Sequence, residues 1–439
     1  MKATIFDGSP AGDPTGERIA GLLTPLLSAK GYEVKHIVVL RDKTLGHCRG
    51  CFQCWLKTPG ICVIDDDNRE LSAKFIQSDL VIMLTPVTFG AYSPELKGML
   101  DHLIANVSPF FTTVNGESHH RKRYSRYTDL MAIGWNDTPD ETQKAMFRHL
   151  AWRNAINFHS ERSNWGVVRS EASDAALKAQ LEALTRNLDR TTAKSGEALP
   201  RIAVTGGVAS ELRNALQLVG SPRMATSSSA ALGGYLLQQL EAQGVATETI
   251  CIHKAMRDAE KRQAMLEAID RADLCILAFP LYIDSLPAPV LSLMRTIRER
   301  RAGLPPKGAF AAIANCGFIE SRQNAHALAT CAIFAEAAGL RWLGGIAIGG
   351  GEGLVHGQEF LKPGRMTIPY KHALDQVAEA LAVGKPVPEE ARQQLAKPFI
   401  PAWLHRFAGS MRWKKEARRN GVERELGAQP YRIQEMRAG

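Results

Sequence analysis

Residues 79–101 read DLVIMLTPVTFGAYSPELKGMLD. Five apolar residues, Leu80 to Leu84, run without alternation into Thr85-Pro86, then a glycine-containing loop, then a helical pattern that opens at Pro94. An unbroken apolar run of this length predicts a strand covered on both faces, as in a parallel sheet lying between helices. The same order returns at 273–297, DLCILAFPLYIDSLPAPVLSLMRTI. There the strand again ends in a proline, Pro280, ahead of a loop with an aromatic residue, Tyr282.

Upstream of each copy lies a short apolar strand closed by Gly-Ser-Pro, namely Gly8-Ser9-Pro10 and Gly220-Ser221-Pro222. A helix and a second strand follow each, EVKHIVVL (33–40) and ATETICIH (246–253). Downstream come YTDLMAIGW (127–135) and GAFAAIANCGF (308–318), each a candidate fourth strand. One repeated tripeptide carries little weight, but the matched order of strand, loop and helix predicts an internal duplication. The expected fold is α/β: two tandem doubly wound parallel-sheet domains, 1–195 and 214–385, joined by a linker at 196–213 and followed by a helical basic tail at 386–439.

Composition agrees. The 439 residues are 45% hydrophobic, enough for two or three domain cores at about 100–200 residues each. The net charge of +9 is modest, and the basic runs HHRKRYSR (119–126) and WKKEARRNG (413–421) read as solvated faces, with His119 and His120 on a polar loop. Neither run sits in a nucleic-acid motif. No stretch approaches the ~20 apolar residues of a membrane span, and the first residues lack signal-peptide features. A cytoplasmic location is expected, where structural disulfides are rare. The pattern GGIAIGGGEG (344–353) follows a late strand and reads as turn chemistry, and no GxxxxGK[ST] is present.

In an open parallel sheet, ligands sit at the carboxyl ends of the strands, near the switch in strand order. Gly-Ser-Pro with hydroxyl residues at a helix start suits a phosphate, because free N–H groups and the positive helix end face it. The second copy, GSPRMATSSS, offers Arg223, Ser227 and Ser229; the first, GSPAGDPTGER, offers Ser9 and Thr15 but places Asp13 beside them. The loops after the third strands offer Phe89 with Gly90 and Tyr282 with Asp284 as walls for a flat ring, or as packing over the sheet end.

Half of the eight cysteines fall in HCRGCFQCWLKTPGICVIDDD (47–67), spaced C-x2-C-x2-C-x7-C at Cys48, Cys51, Cys54 and Cys62. The dense spacing suits a [4Fe–4S] cluster. A structural zinc site usually pairs two C-x2-C knuckles across a longer gap, and a reduced thiol loop is the third reading. Asp65, Asp66 and Asp67 read as charges at a helix start rather than metal ligands. Cys251, Cys275, Cys316 and Cys331 read as small buried hydrophobes.

These loops resemble the NAD(P)H-dependent FMN reductase branch of the flavodoxin-like fold, over about 1–192 and 214–350. By position, the resemblance implies that Ser9, Pro10 and Thr15 hold the FMN phosphate, that Pro86, Val87, Thr88, Phe89 and Gly90 border the ring, and that Gly134 and Trp135 form the third loop. In the second domain it implies Ser221, Arg223, Ser227 and Ser229, then Pro280, Leu281 and Tyr282, then Asn315, Cys316 and Gly317. Ala11 stands where that branch commonly has arginine. The cysteine segment, with its downstream CVIDDD, is similar to that of the iron–sulfur flavoproteins, which implies a [4Fe–4S] cluster on Cys48, Cys51, Cys54 and Cys62 near a flavin, in subunits that associate.

The implied activity is hydride transfer from NAD(P)H to FMN, with electrons passed to a quinone, flavin, nitroaromatic or electron-carrier protein. No side chain is singled out as catalytic. A second reading is an electron-transfer or binding protein in which one flavin-free domain serves dimerisation or partner recognition. In the tail, Trp403, Leu404, Phe407, Ala408 and Met411 recur at helical intervals. They suit docking on the body or on a partner subunit, or peripheral attachment to an anionic membrane.

Overall fold

The computed structural model describes residues 1–138, 140–186, 198–205, 212–355, 364 and 366–432. Part of the expected linker, 196–213, lies outside the described residues. Strands β1 (Lys2–Asp7), β2 (Glu33–Val39), β3 (Leu80–Pro86), β4 (Val107–Val114), β5 (Glu117–Lys122), β6 (Asp129–Asn136) and β7 (Ser163–Arg169) belong to the amino-terminal region. Five of them form one sheet in the order β2-β1-β3-β6-β7, with every pairing parallel. Counted along the sheet this is 2-1-3-4-5, the flavodoxin-like order, which leaves a crevice between β1 and β3 at their carboxyl ends. Leu80 to Leu84 are fully buried, which is why that run shows no alternation.

The remaining two strands, β4 and β5, pair antiparallel as a separate hairpin. Their presence corrects one expectation. Residues 119–126 were expected on a solvated polar loop, but His119 and Arg123 are 1% and 5% exposed. The hairpin turns Glu117 and His119 inward, and the buried Arg153 side chain pairs with Glu117.

The second domain repeats the plan with β8 (Asn214–Val219), β9 (Ala246–Cys251), β10 (Leu274–Pro280), β11 (Ala309–Asn315) and β12 (Arg341–Ile348), ordered β9-β8-β10-β11-β12 and again all parallel. The chain therefore holds two tandem flavodoxin-like domains, and their details match position by position. Pro86 pairs with Trp135 and Pro280 with Asn315 at the ends of the third strands. A Cβ at Gly8 would lie 2.7 Å from Leu96 Cβ, and one at Gly220 would lie 2.9 Å from Phe279 Cβ, so both first loops need glycine for close approach.

The loop after each third strand is a tight turn closed by a bridge, Thr88 to Ala91 and Tyr282 to Ser285. Both central residues have positive φ in each turn: Phe89 and Gly90 (52° and 77°), Ile283 and Asp284 (48° and 57°). This is type I′ geometry. It also shows that the aromatic residues are offset, since Thr88 corresponds to Tyr282 and Phe89 to Ile283.

The chain divides into two compact units, Met1–Ala198 with Arg406–Gly439, and Leu199–His405. The tail expected at 386–439 is thus shared between them. Helix Glu389–Ala396 sinks Ala391 and Leu395 into the core of the second unit, beside Leu374 and Val377. From Arg406 onward the chain belongs to the first unit, where Trp413 and Ala417 of helix Ala402–Arg419 are buried. Trp403, Phe407 and Met411 of that helix stay exposed. No described helix is long and apolar enough to cross a membrane.

Candidate functional site

The cysteine loop leaves β2 and ends at helix Asn68–Gln77. Its backbone turns sharply through positive φ at Gly50, Phe52 and Gly60, around the short helical turn Gln53–Leu56. Cys54 is buried, Cys48 and Cys62 are half-buried, Cys51 is exposed, and all four are free thiols. Each is close enough to the other three for their charges to interact. Burial pushes the Cys48 thiol up to about 12 and the Cys54 and Cys62 thiols upward as well. Ligation here has to displace protons, as thiolate ligation generally does.

Among the described residues, no three His, Cys, Asp or Glu side chains are arranged to grip a single metal ion. A tetrahedral zinc with Zn–S bonds of about 2.3 Å needs its sulfurs nearly in contact, whereas a cuboidal cluster holds four thiolates further apart around its own irons and sulfides. The donor set, four mutually interacting thiols, is the thiolate set that a [4Fe–4S] cluster takes.

Surrounding groups are specific. The His102 Nε2–H donates to the Gly46 carbonyl at 2.7 Å, which leaves Nδ1 as the acceptor facing Cys62 Sγ at 3.5 Å. Burial lowers the pKa of His102, in keeping with a neutral ring. A fully buried ion pair joins Lys97 to Asp101. The three aspartates precede helix Asn68–Gln77, but the Asp67 side chain does not cap it, and of the three side chains Asp66 alone accepts from the helix backbone. Asp66 accepts from Gly46 and Asn68 N–H groups, Asp67 from Thr44 N–H, and Asp65 pairs with Arg69.

The two phosphate loops differ. In the first domain the Ser9 N–H and hydroxyl both donate to Asp7 Oδ1, at 2.8 and 2.6 Å. The Thr15 N–H donates to Asp13 Oδ1 at 2.9 Å, and Trp135 Nε1 to Asp13 Oδ2 at 3.2 Å. A Cβ on Gly16 would come within 2.1 Å of Asp7 and 2.3 Å of Ser9, so glycine there lets the helix close onto this pair. Both Ser9 donors and the Thr15 N–H are therefore engaged by the loop's own carboxylates.

Asp7 is fully buried and its Oδ2 has no partner. Burial raises its pKa above the ordinary 3.8. Below that ordinary value the carboxyl is protonated folded and unfolded alike, and as pH rises through the folded pKa the charged form penalises the folded state. Asp7→Asn keeps an oxygen for Ser9 and removes the charge. It is expected to match the parent in strongly acidic solution and exceed it in stability at pH 7, checked by urea denaturation across pH.

In the second domain Val219 stands where the first has Asp7. Ser221 and Ser229 are buried, and Ser227 caps helix Ser228–Glu241 by accepting from Ala230 N–H. Asn315 Nδ2 donates to Ser229 Oγ at 2.8 Å and to the Phe279 carbonyl at 3.0 Å, tying the phosphate loop to the fourth-strand loop. Arg223 is half-exposed and pairs with Glu352 at 3.1 Å. The Arg223 N–H donates to Ser221 Oγ and the Ser227 hydroxyl to the Met224 carbonyl, ahead of the amino end of a 14-residue helix.

Residues 1–162 match the NADPH-dependent FMN reductase family. An iron–sulfur flavoprotein of Methanosarcina thermophila is 30% identical over 104 residues, 24% of this chain and 53% of that protein. One from Methanocaldococcus jannaschii is 34% identical over 101 residues, 23% of this chain and 51% of its own length. The chain spans about half the length of the curated relatives it matches. A solved NAD(P)H:quinone oxidoreductase from Methanothermobacter marburgensis aligns over 42% of this chain and 96% of its own, at 12% identity and a TM-score of 0.34.

Within the domain that matches this family, the other expected loop residues lie together. The Val87 N–H donates to the Trp135 carbonyl, and a Cβ on Gly134 would meet Val87 at 2.8 Å. Phe89 is 8% exposed, and the Gly90 N–H donates to Gln143 Oε1 at 3.1 Å. Pro10 lies in the loop between Ser9 and Asp13, and Thr88 takes part in the turn bridge. In the second domain the Leu281 N–H donates to the Asn315 carbonyl. Tyr282 is half-buried after Pro280, and Gly317 is exposed. Cys316 is buried, and its thiol donates to the Phe318 carbonyl. Asp7, Gln143, His102 and Arg123 were not foreseen. Only Asp7, directly before Gly-Ser-Pro, carried a visible signal.

Proposed function

We propose that the chain is an FMN-dependent NAD(P)H oxidoreductase in which the second domain holds the flavin and the cysteine loop of the first holds a [4Fe–4S] cluster. When bound, FMN supplies hydride chemistry and the cluster single-electron transfer. The observation that carries this reading is the contrast between the two phosphate loops. The Ser9 donors and the Thr15 N–H are engaged by Asp7 and Asp13, whereas Ser221, Arg223 and Ser229 stand at a helix start with no aspartate in the loop, the Ser227 hydroxyl alone donating to the Met224 carbonyl. A phosphate dianion would meet two carboxylates in the first domain, an arrangement that like-charge repulsion opposes.

The roles follow from the residues. Ser221 and Ser229 offer hydroxyls to the phosphate, Arg223 exchanges Glu352 for it, and Asn315 holds Ser229 in place. Pro280, Leu281 and Tyr282 border the flavin ring. Cys48, Cys51, Cys54 and Cys62 hold the cluster. The acceptor class is a quinone, a free flavin, a nitroaromatic or an electron-carrier protein. A flavin-free first domain joins this reading to the electron-transfer alternative, since that domain then passes electrons rather than taking hydride.

Anaerobic purification with FMN, iron and sulfide quantified together tests it. About one FMN and about four irons per chain are expected for one flavin site and one cuboidal cluster. Two FMN per chain would return a flavin to the first domain. Protein that takes up no FMN would sink the oxidoreductase reading.

A further inference from the structure

We propose that Arg123 supplies the buried positive charge that balances the four-thiolate centre, and that the carboxy-terminal segment 413–431 holds it there while closing the cysteine loop. The proposal rests on the cluster reading above.

Arg123 follows the β4–β5 hairpin and is 5% exposed. Its Nε donates to the Val107 carbonyl at 3.3 Å, and Nη1 to the carbonyls of Leu426 and Ala428 at 3.1 and 2.8 Å. Its own N–H donates to the Tyr127 hydroxyl, and its carbonyl accepts from Gln429 Nε2 at 2.6 Å. Nη2 is buried with no partner. Among the described residues Arg123 has no carboxylate partner, and its Nε shares the Val107 carbonyl with Trp55 Nε1, which donates to it at 3.0 Å from the residue next to Cys54. A guanidinium kept in this position without a counterion is costly. The group beside Trp55 that ligation makes anionic is Cys54, and its carbonyl accepts from the N–H of Gly60, the glycine that Pro430 covers.

The segment that fixes Arg123 also covers the loop. Trp413 meets the rings of Phe52 and Trp55 edge-on at 5.1 and 5.3 Å, and Trp55 is itself fully buried. Pro430 lies so close to Gly60 that a Cβ there would be 2.6 Å from its Cδ. The Tyr431 N–H reaches the Tyr124 hydroxyl at 3.4 Å. Carbonyl dipoles from 426 and 428 thus orient a buried cation behind the loop of the most buried of the four cysteines, the loop that Trp413 and Pro430 cover.

Reduction adds negative charge to a centre that is already anionic, so a fixed cation favours the reduced form. Arg123→Met in the full chain, purified anaerobically, is expected to lower the cluster's midpoint potential and to speed iron release to a chelator by about 10- to 100-fold, the range for outer-sphere partners. Arg123→Lys keeps the charge but not the fork. It is expected to stay near the parent potential while releasing iron faster than the parent. A cluster-bearing Arg123→Met with parental potential and iron release would overturn the proposal. If Arg123→Met does not fold, Arg123→Lys decides the anchoring, and iron release equal to the parent would overturn it. Parent protein without iron and sulfide would instead overturn the cluster reading itself, a result that no Arg123 variant can mimic.

Discussion

Replacing Ser221 and Arg223 together by alanine is expected to weaken FMN binding by about 100-fold, read as loss of flavin-fluorescence quenching on titration of the flavin-free protein. A charge-assisted hydrogen bond contributes roughly 1.5–3 kcal/mol and a neutral one about 1 kcal/mol. Losing one of each comes to about 3 kcal/mol, or about two decades in Kd. The half-exposed position of Arg223 and its existing pair with Glu352 hold its share toward the lower end. Ser9→Ala with Thr15→Ala is the matched experiment in the first domain. There the Ser9 hydroxyl is engaged by Asp7, and Asp7 and Asp13 set two carboxylates at the loop, so FMN affinity is expected to stay as in the parent. Affinity lost in the second pair and kept in the first would move the flavin to the amino-terminal domain.

The second large effect concerns Cys54. Its thiol is 8% exposed, the most buried of the four, and interacts with Cys48, Cys51 and Cys62. Cys54→Ala is expected to abolish iron and sulfide while leaving FMN per chain unchanged, because the loop proposed to hold the flavin belongs to the other compact unit. The broad long-wavelength absorption of a cluster would vanish and the two flavin bands would remain. Cys251→Ala, in the second domain, is the control and is expected to keep all three cofactor readings. Iron retained in Cys54→Ala at parental stoichiometry would remove this cysteine from the ligand set.

Much of the fold was legible in local pattern. Leu80 to Leu84 and Leu274 to Phe279 carry no alternation because helices cover both faces of each sheet. Two Gly-Ser-Pro loops ahead of matched strands exposed the duplication. The hairpin β4–β5 was not legible, since HHRKRYSR has the composition of a solvated run, yet partners distant in sequence bury parts of it. Arg123 reads as one more surface arginine until the chain returns, some 300 residues later, to offer the carbonyls of Leu426 and Ala428.

The candidate sites divide in the same way. That Cys48, Cys51, Cys54 and Cys62 share one loop follows from spacing alone. Which donors of each Gly-Ser-Pro loop are taken does not, because the identical tripeptide stands in both domains and the difference lies in where Asp7 and Asp13 direct their oxygens. Sequence by itself determined two doubly wound domains, the crevice in each and the crowding of thiols, because these depend on neighbours close along the chain. Tertiary structure alone decided that Asp7 and Asp13 take the Ser9 donors and the Thr15 N–H, and that the tail folds back over the cysteine loop. Hydrogen-bond direction and burial depend on groups that only folding brings together.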